Sequence, residues 1–104
     1  MDELIIKIKN TVTALLHYDM DVYYVSTQEL VDMMILVFPA IIDCYNSPKL
    51  SDLREDATYW PGQLERVIKA LNGVDHFEVV DVLYNETYAN LVELRDILMQ
   101  RGIM

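Results

Sequence analysis

The chain has 104 residues and 12.1 kDa, 53% of them apolar and 24% charged, with three Gly and three Pro. That content excludes disorder and the Pro/Gly-rich fibrous classes, and the length fits one domain, residues 1–104. Eight Lys and Arg against 17 Asp and Glu leave a formal charge of −9. Clustered cations that could displace counterions from a phosphate backbone are missing, so neither nucleic acid nor an anionic membrane is an expected partner.

Cys44 is the one cysteine, which excludes an internal disulfide and a paired-cysteine metal or redox site. Met1-Asp2-Glu3 opens acidic where a secretory leader needs positive charge. The longest uninterrupted apolar run, Met33 to Ile42, is ten residues, against the roughly 20 that a spanning helix needs. A cytoplasmic protein is expected.

Four helical segments are predicted and no strand pattern competes. Asp2 can cap the first, in which Leu4, Ile5, Ile8, Val12, Leu15 and Leu16 recur at helical spacing. Continuing that helix would bring Asp19 into the apolar arc, so it is expected to end near His17 or Tyr18. Ser26 and Glu29 form a capping-box pair, with Thr27 as an alternative cap, that opens the second helix. From Leu30 to Tyr45 this helix leaves only Asp32, Pro39 and Asp43 for solvent beyond its first turn, the pattern of a central helix or of one with a partner on its second side.

Asn46-Ser47-Pro48 ends the second helix and starts the third, with Ser47 as cap and Pro48 in the first turn. Leu50, Leu53, Ala57, Trp60, Leu64, Val67 and Leu71 then alternate at intervals of three and four, a bundle seam. Trp60-Pro61-Gly62 predicts a helix that is kinked or split there. Asn72-Gly73 stops it, and Asp75 with Glu78 makes another capping box for a last helix running to about Arg101. The seam expected of that helix is Phe77, Val80, Tyr84, Thr87, Leu91, Leu94 and Leu98. Short connections make neighbours antiparallel, so an all-α, up-and-down antiparallel four-helix bundle is expected.

The chemistry-bearing motifs are few. His17 and His76 do not follow a Glu at the spacing of a di-iron centre, and the zincin, P-loop, dinucleotide and nucleophile-elbow patterns are absent. Cys44, in the most apolar helix, reads as an inert thiol. No cofactor is expected. Glu78-Val79-Val80-Asp81, followed by Val82-Leu83-Tyr84, resembles part of the all-α nucleotide pyrophosphohydrolases of the MazG type. That resemblance implies Mg²⁺ held by paired acids against a nucleoside triphosphate, with Asp52 and Glu55 or Glu29 and Asp32 standing in for the family's first pair. By helical spacing, Asp52, Glu55, Glu78 and Asp81 all lie away from their seams, which is the pattern of solvated faces.

Seven Tyr, Trp60 and Met20, Met33, Met34 and Met99 exceed the obvious needs of one small interior. Tyr and Trp favour interface cores, and Met suits adaptable surfaces. Met33, Met34, Phe38, Tyr45, Trp60 and Tyr88 are therefore the interface candidates. The last helix, Asp75-x-Phe77-Glu78-Val79-Val80-Asp81-Val82-Leu83-x-x-Glu86, is similar to a segment of small acidic helical proteins of Gram-positive bacteria, a resemblance that implies no catalytic residue. The reading that follows is a non-enzymatic interaction module, a homodimer or the binder of another protein, in the manner of a small chaperone or adaptor.

Overall fold

The protein, as a computed structural model, is described over residues 1–103. Among these residues every regular element is helical. Helix α1 (Asp2–Leu16) leads through a tight turn into α2 (Met20–Cys44). A 3₁₀ segment (Pro48–Thr58) precedes α3 (Tyr59–Asn72). The last rod consists of α4 (His76–Val80), a π-helical segment (Asp81–Tyr88) and α5 (Ala89–Gln100). The molecule measures 44 × 21 × 20 Å.

The α1–α2 turn explains where α2 starts. The amide of Tyr18 donates to the Leu15 carbonyl and that of Asp19 to the Ala14 carbonyl, the paired closure of a helix that ends in a left-handed residue. Tyr18 takes that conformation at φ 56°. The chain thus re-enters helix at Met20, and Ser26 is not a cap but a mid-helix residue, 5% exposed. Its hydroxyl bonds Thr11 on α1. Because Thr11 spends its own proton on the Lys7 carbonyl, Ser26 is the donor of this pair. The predicted capping box is replaced by a buried pin between two helices.

The third segment is divided within two residues of the predicted place, a 3₁₀ stretch ending at Thr58 and an α-helix starting at Tyr59, with a further kink at Leu50. Ser47 caps it by accepting from the Lys49 amide, and Leu50 departs from helical geometry at φ −115° and ψ 20°. Trp60-Pro61-Gly62 then forms the first turn of α3. Pro61 costs nothing there, since amides of a first turn have no intrahelical acceptor.

The last rod departs most from its expected seam. Val79, Val82, Leu83, Thr87, Leu91, Leu94 and Leu98 are buried, whereas Phe77 is 89% and Tyr84 41% exposed. From Thr87 onward the expected positions face inward. Before it, the π segment takes up an extra residue in its turn, so the inward positions move from Tyr84 to Leu83 and from Val80 to Val79. Buried polar groups mark the shift. The Thr87 hydroxyl donates to the Val82 carbonyl five residues back (2.9 Å) and accepts from Gln63 Nε2 of α3 (2.8 Å).

The helices meet in pairs whose residue numbers rise on one side as they fall on the other. Lys7 meets Glu29 and Thr11 meets Ser26 between α1 and α2. Tyr59 meets Asn90, Gln63 meets Thr87 and Arg66 meets Glu86 between α3 and the last rod. Phe38 of α2 packs edge-on against Trp60 at 5.3 Å. The core so enclosed contains Leu4, Ile8, Leu30, Met34, Leu83 and Leu91 with no exposed surface.

Two stability predictions follow from this geometry. Thr87→Val removes the shorter of the two hydrogen bonds donated by the buried Gln63 amide, leaving it the 3.4 Å bond to Glu86, and should cost about 1–3 kcal/mol, while adding Gln63→Leu should recover part of that loss. Urea unfolding of both single variants and the double variant checks it, and strictly additive losses would contradict the coupling. Tyr18→Gly should stabilise by roughly 1 kcal/mol, because glycine reaches the left-handed region without a Cβ clash. A lower melting temperature would contradict that.

Candidate functional site

The six interface candidates do not form a surface. Met34, Phe38, Tyr45 and Trp60 are 0–4% exposed, and Met33 and Tyr88 are half-buried. On α2 the buried positions Tyr23, Ser26, Leu30, Met34, Phe38 and Ile41 recur at three and four, so these side chains face the interior of their own chain. Trp60 is held there by a hydrogen bond from its indole to the Tyr45 hydroxyl (3.1 Å).

Exposed apolar surface lies elsewhere. On α2 it comprises Val22, Tyr24, Val25, Ile35 and Leu36, with Glu29 and Asp32 between them. By length and composition alone this 25-residue helix is apolar enough to cross a membrane, with a mean hydropathy of 1.6 over its most apolar window, 28% of which is buried. A single helix of this kind is weak grounds for a span, because core helices of soluble proteins pass the same test.

A second apolar surface sits at one end of the bundle. Leu16, Tyr18, Val74 and Phe77 are 61%, 81%, 97% and 89% exposed and share a depression of ≈ 360 Å³. Tyr18, Val74 and Phe77 each owe their exposure to the adjacent chain. Tyr18 is the left-handed residue of the first turn, and Phe77 is turned outward by the π segment. Val74 precedes the cap Asp75, which accepts from the amides of Phe77 (3.0 Å) and Glu78 (3.4 Å). Val79, the usual staple partner of such a residue, points into the core instead and leaves Val74 bare. Tyr23 underlies the rim, its ring 6.2 Å from His76 and 5.5 Å from Tyr24.

The four acids of the Mg²⁺ reading do not converge within the chain. Asp52 accepts two hydrogen bonds from Arg101 (2.7 and 3.1 Å), which hold its carboxyl below the usual carboxylate range. Asp81 stands twenty residues before Arg101 on the same rod, on the order of 30 Å away. Glu55 and Glu78 are exposed near Asp52 and Asp81 respectively. Among the described residues, no three His, Cys, Asp or Glu side chains gather closely enough to hold an ion. Cys44 is half-buried, and His17 and His76 are exposed.

At the other end of the bundle a cleft of ≈ 280 Å³ opens between the end of α2, the 3₁₀ segment, the start of α3 and α5. Tyr45, Tyr59 and Trp60 wall it, and Asp56, Asn90 and Glu93 supply its polar groups. The Tyr59 hydroxyl accepts from Asn90 Nδ2 (2.7 Å). Tyr59 and Trp60 meet edge-to-face at 5.0 Å. Burial pushes both phenols above their ordinary value, opposed by the hydrogen bonds from Trp60 and Asn90. Asp56 and Glu93 add to the rise at Tyr45. Spacing analysis places Trp60 on a seam but gives no hint of the cleft, because its walls come from four separate segments.

No protein-family model matches this chain, and neither a curated protein nor a solved structure shows significant similarity to it.

The phenols carry a pH prediction. Tyr23, Tyr45 and Tyr59 are each raised above 10.0, with burial as the largest cause. A folded value above the unfolded one means stability that is complete below about pH 10 and is lost as pH rises through the folded value. An ultraviolet absorbance titration should show these tyrosines ionising above the free-phenol value, with one fewer in Tyr45→Phe. Loss of the late ionisation in that variant without any change in alkaline stability would contradict the linkage.

Proposed function

We propose that the chain is a non-enzymatic protein-interaction module of the cytoplasm, an acidic helical bundle that self-associates and can dock a second protein as a small adaptor or chaperone does. The observation that carries this reading is the bare apolar end formed by Leu16, Tyr18, Val74 and Phe77. Large apolar side chains grouped in one depression keep water against greasy surface, and docking removes that cost. Tyr18 strengthens the argument. An aromatic ring stands in a left-handed turn position that glycine fills at lower energy, and the ring is directed to solvent.

A second copy of the chain is the first partner to consider. Stable interfaces bury about 800 Å² per partner, and the patch can be extended by Val22 and Tyr24 of α2, which stand beside Tyr23 at the same end. Two copies each at −9 repel, so self-association should tighten as salt screens that charge. Cytoplasmic residence is supported by the acidic balance and the lone cysteine.

Light scattering on a sizing column tests the reading. At protein concentrations on the order of 10 μM or above, the wild type should run at twice 12.1 kDa. Phe77→Asp and Tyr18→Asp should shift it to the monomer mass with helical circular dichroism retained. A monomer at every concentration and salt level would remove self-association from the reading.

A further inference from the structure

The stretches that build the apolar end, residues 15–24 and 72–81, contain Asp19, Asp21, Asp75, Glu78 and Asp81 and neither Lys nor Arg. Among the described residues none of these five acids has a Lys, Arg or His within ion-pair distance, whereas Asp2, Glu29, Asp52, Glu86 and Asp96 all have one. The cations of α3 offset little of this charge. Arg66 is held by Glu86 through two hydrogen bonds and feels Glu78 only at longer range, and Lys69 is a single exposed ammonium in the last turn. Asp75 lines the depression itself, beside Val74 and Phe77. Large apolar side chains thus stand inside an acidic frame.

That frame selects the occupant. A second copy brings the same acids against it, and an acidic segment would add to the repulsion. A neutral apolar segment fills the depression but leaves the acids without a counter-charge. Lys and Arg at the rim pair with these exposed acids while their heads stay in water, and their aliphatic stems extend the apolar contact. The acids also come from both walls, Asp19 and Asp21 from the start of α2, Asp75 and Glu78 from the start of α4. Cations on both sides of an apolar anchor meet them, whereas a lone amine reaches one wall.

We infer that the apolar end docks a polypeptide segment in which a large apolar residue is flanked on both sides by Lys or Arg. The depression of ≈ 360 Å³ lies near the lower bound of ligand pockets, roughly 300–1,000 Å³, which suits an anchor side chain and not a whole helix face. Such docking rests on the proposed role of this end as a protein-binding surface, and it specifies what the second protein offers. Salt separates the two partners, because screening weakens the hold on a basic segment and eases the repulsion between two copies.

Fluorescence anisotropy with dye-labelled, capped peptides and the full chain tests it. The first peptide has a centre of phenylalanine and leucine with lysines at both ends. The second replaces the lysines by glutamates, and the third replaces the apolar centre by serines. Saturable binding of the first alone is expected, weakening as sodium chloride is added. Phe77→Ser should weaken it about tenfold, and Asp19→Asn with Glu78→Gln about threefold at ~0.1 M salt. Removing the same charge from the far end of the 44 Å molecule, by Asp56→Asn with Glu93→Gln, should leave affinity unchanged because that distance is screened. All five positions are exposed, so helical circular dichroism should be retained. No saturable binding of the first peptide, equal affinity for either of the others, unchanged affinity in Phe77→Ser, or equal losses from the two charge pairs would overturn the inference. A chain that dimerises through Phe77 yet ignores the peptide sinks this inference and leaves self-association standing. A monomer that ignores it sinks both.

Discussion

Gln63 reaches from α3 to the Thr87 hydroxyl, and Thr87 in turn closes on the Val82 carbonyl, five residues behind it. This small buried chain of hydrogen bonds joins α3 to the π segment of the last rod, the place where that rod changes register. Below it, α5 presents Leu91, Leu94 and Leu98 to the core in ordinary helical order. Above it, the extra residue turns Val79 and Leu83 inward and sends Phe77 and Tyr84 outward. Polar atoms sealed from water must be paired, so the threonine and glutamine specify the register more tightly than the apolar residues around them. The apolar end therefore depends on an interaction in the middle of the molecule.

The two ends divide the surface by chemistry. One end is apolar, built from a turn, a cap and the first turn of α4. The other combines aromatic walls with carboxylates that lack a cation. A chain at −9 that ties up several of its cations in ion pairs leaves most of its acids free. Among the described residues those acids are spread over helix faces, and no three of them gather closely enough to hold an ion.

Legibility varied with how local each cause is. Asp75 as a cap, Ser47 before Pro48, the end of α1 at His17 and the end of the last helix at about Arg101 are decided within a few residues of chain, and sequence reasoning reaches all four. Ser26 looked like a cap because a capping box needs only a hydroxyl and an acid at the right spacing. Six earlier residues took helical form once Tyr18 closed the preceding turn, and the same hydroxyl found Thr11 instead. Abundance and size point to Met34, Phe38, Tyr45 and Trp60 as interface residues, yet all four are buried in their own chain. Composition counts such residues but cannot say that α1, α3 and the last rod together supply enough surface to cover them.

The all-helical class, the four helical stretches along the chain and most of the core on α1 and α5 were determined by the sequence alone, because apolar periodicity and end signals act over one or two turns. The early start of α2 follows from the left-handed closure at Tyr18, a conformation that a tyrosine does not announce. Tertiary structure alone decided the register of the last rod and the partner of the Ser26 hydroxyl, because Thr87 meets Gln63 and Ser26 meets Thr11 only when separate helices are brought together, and no local pattern encodes such a partner.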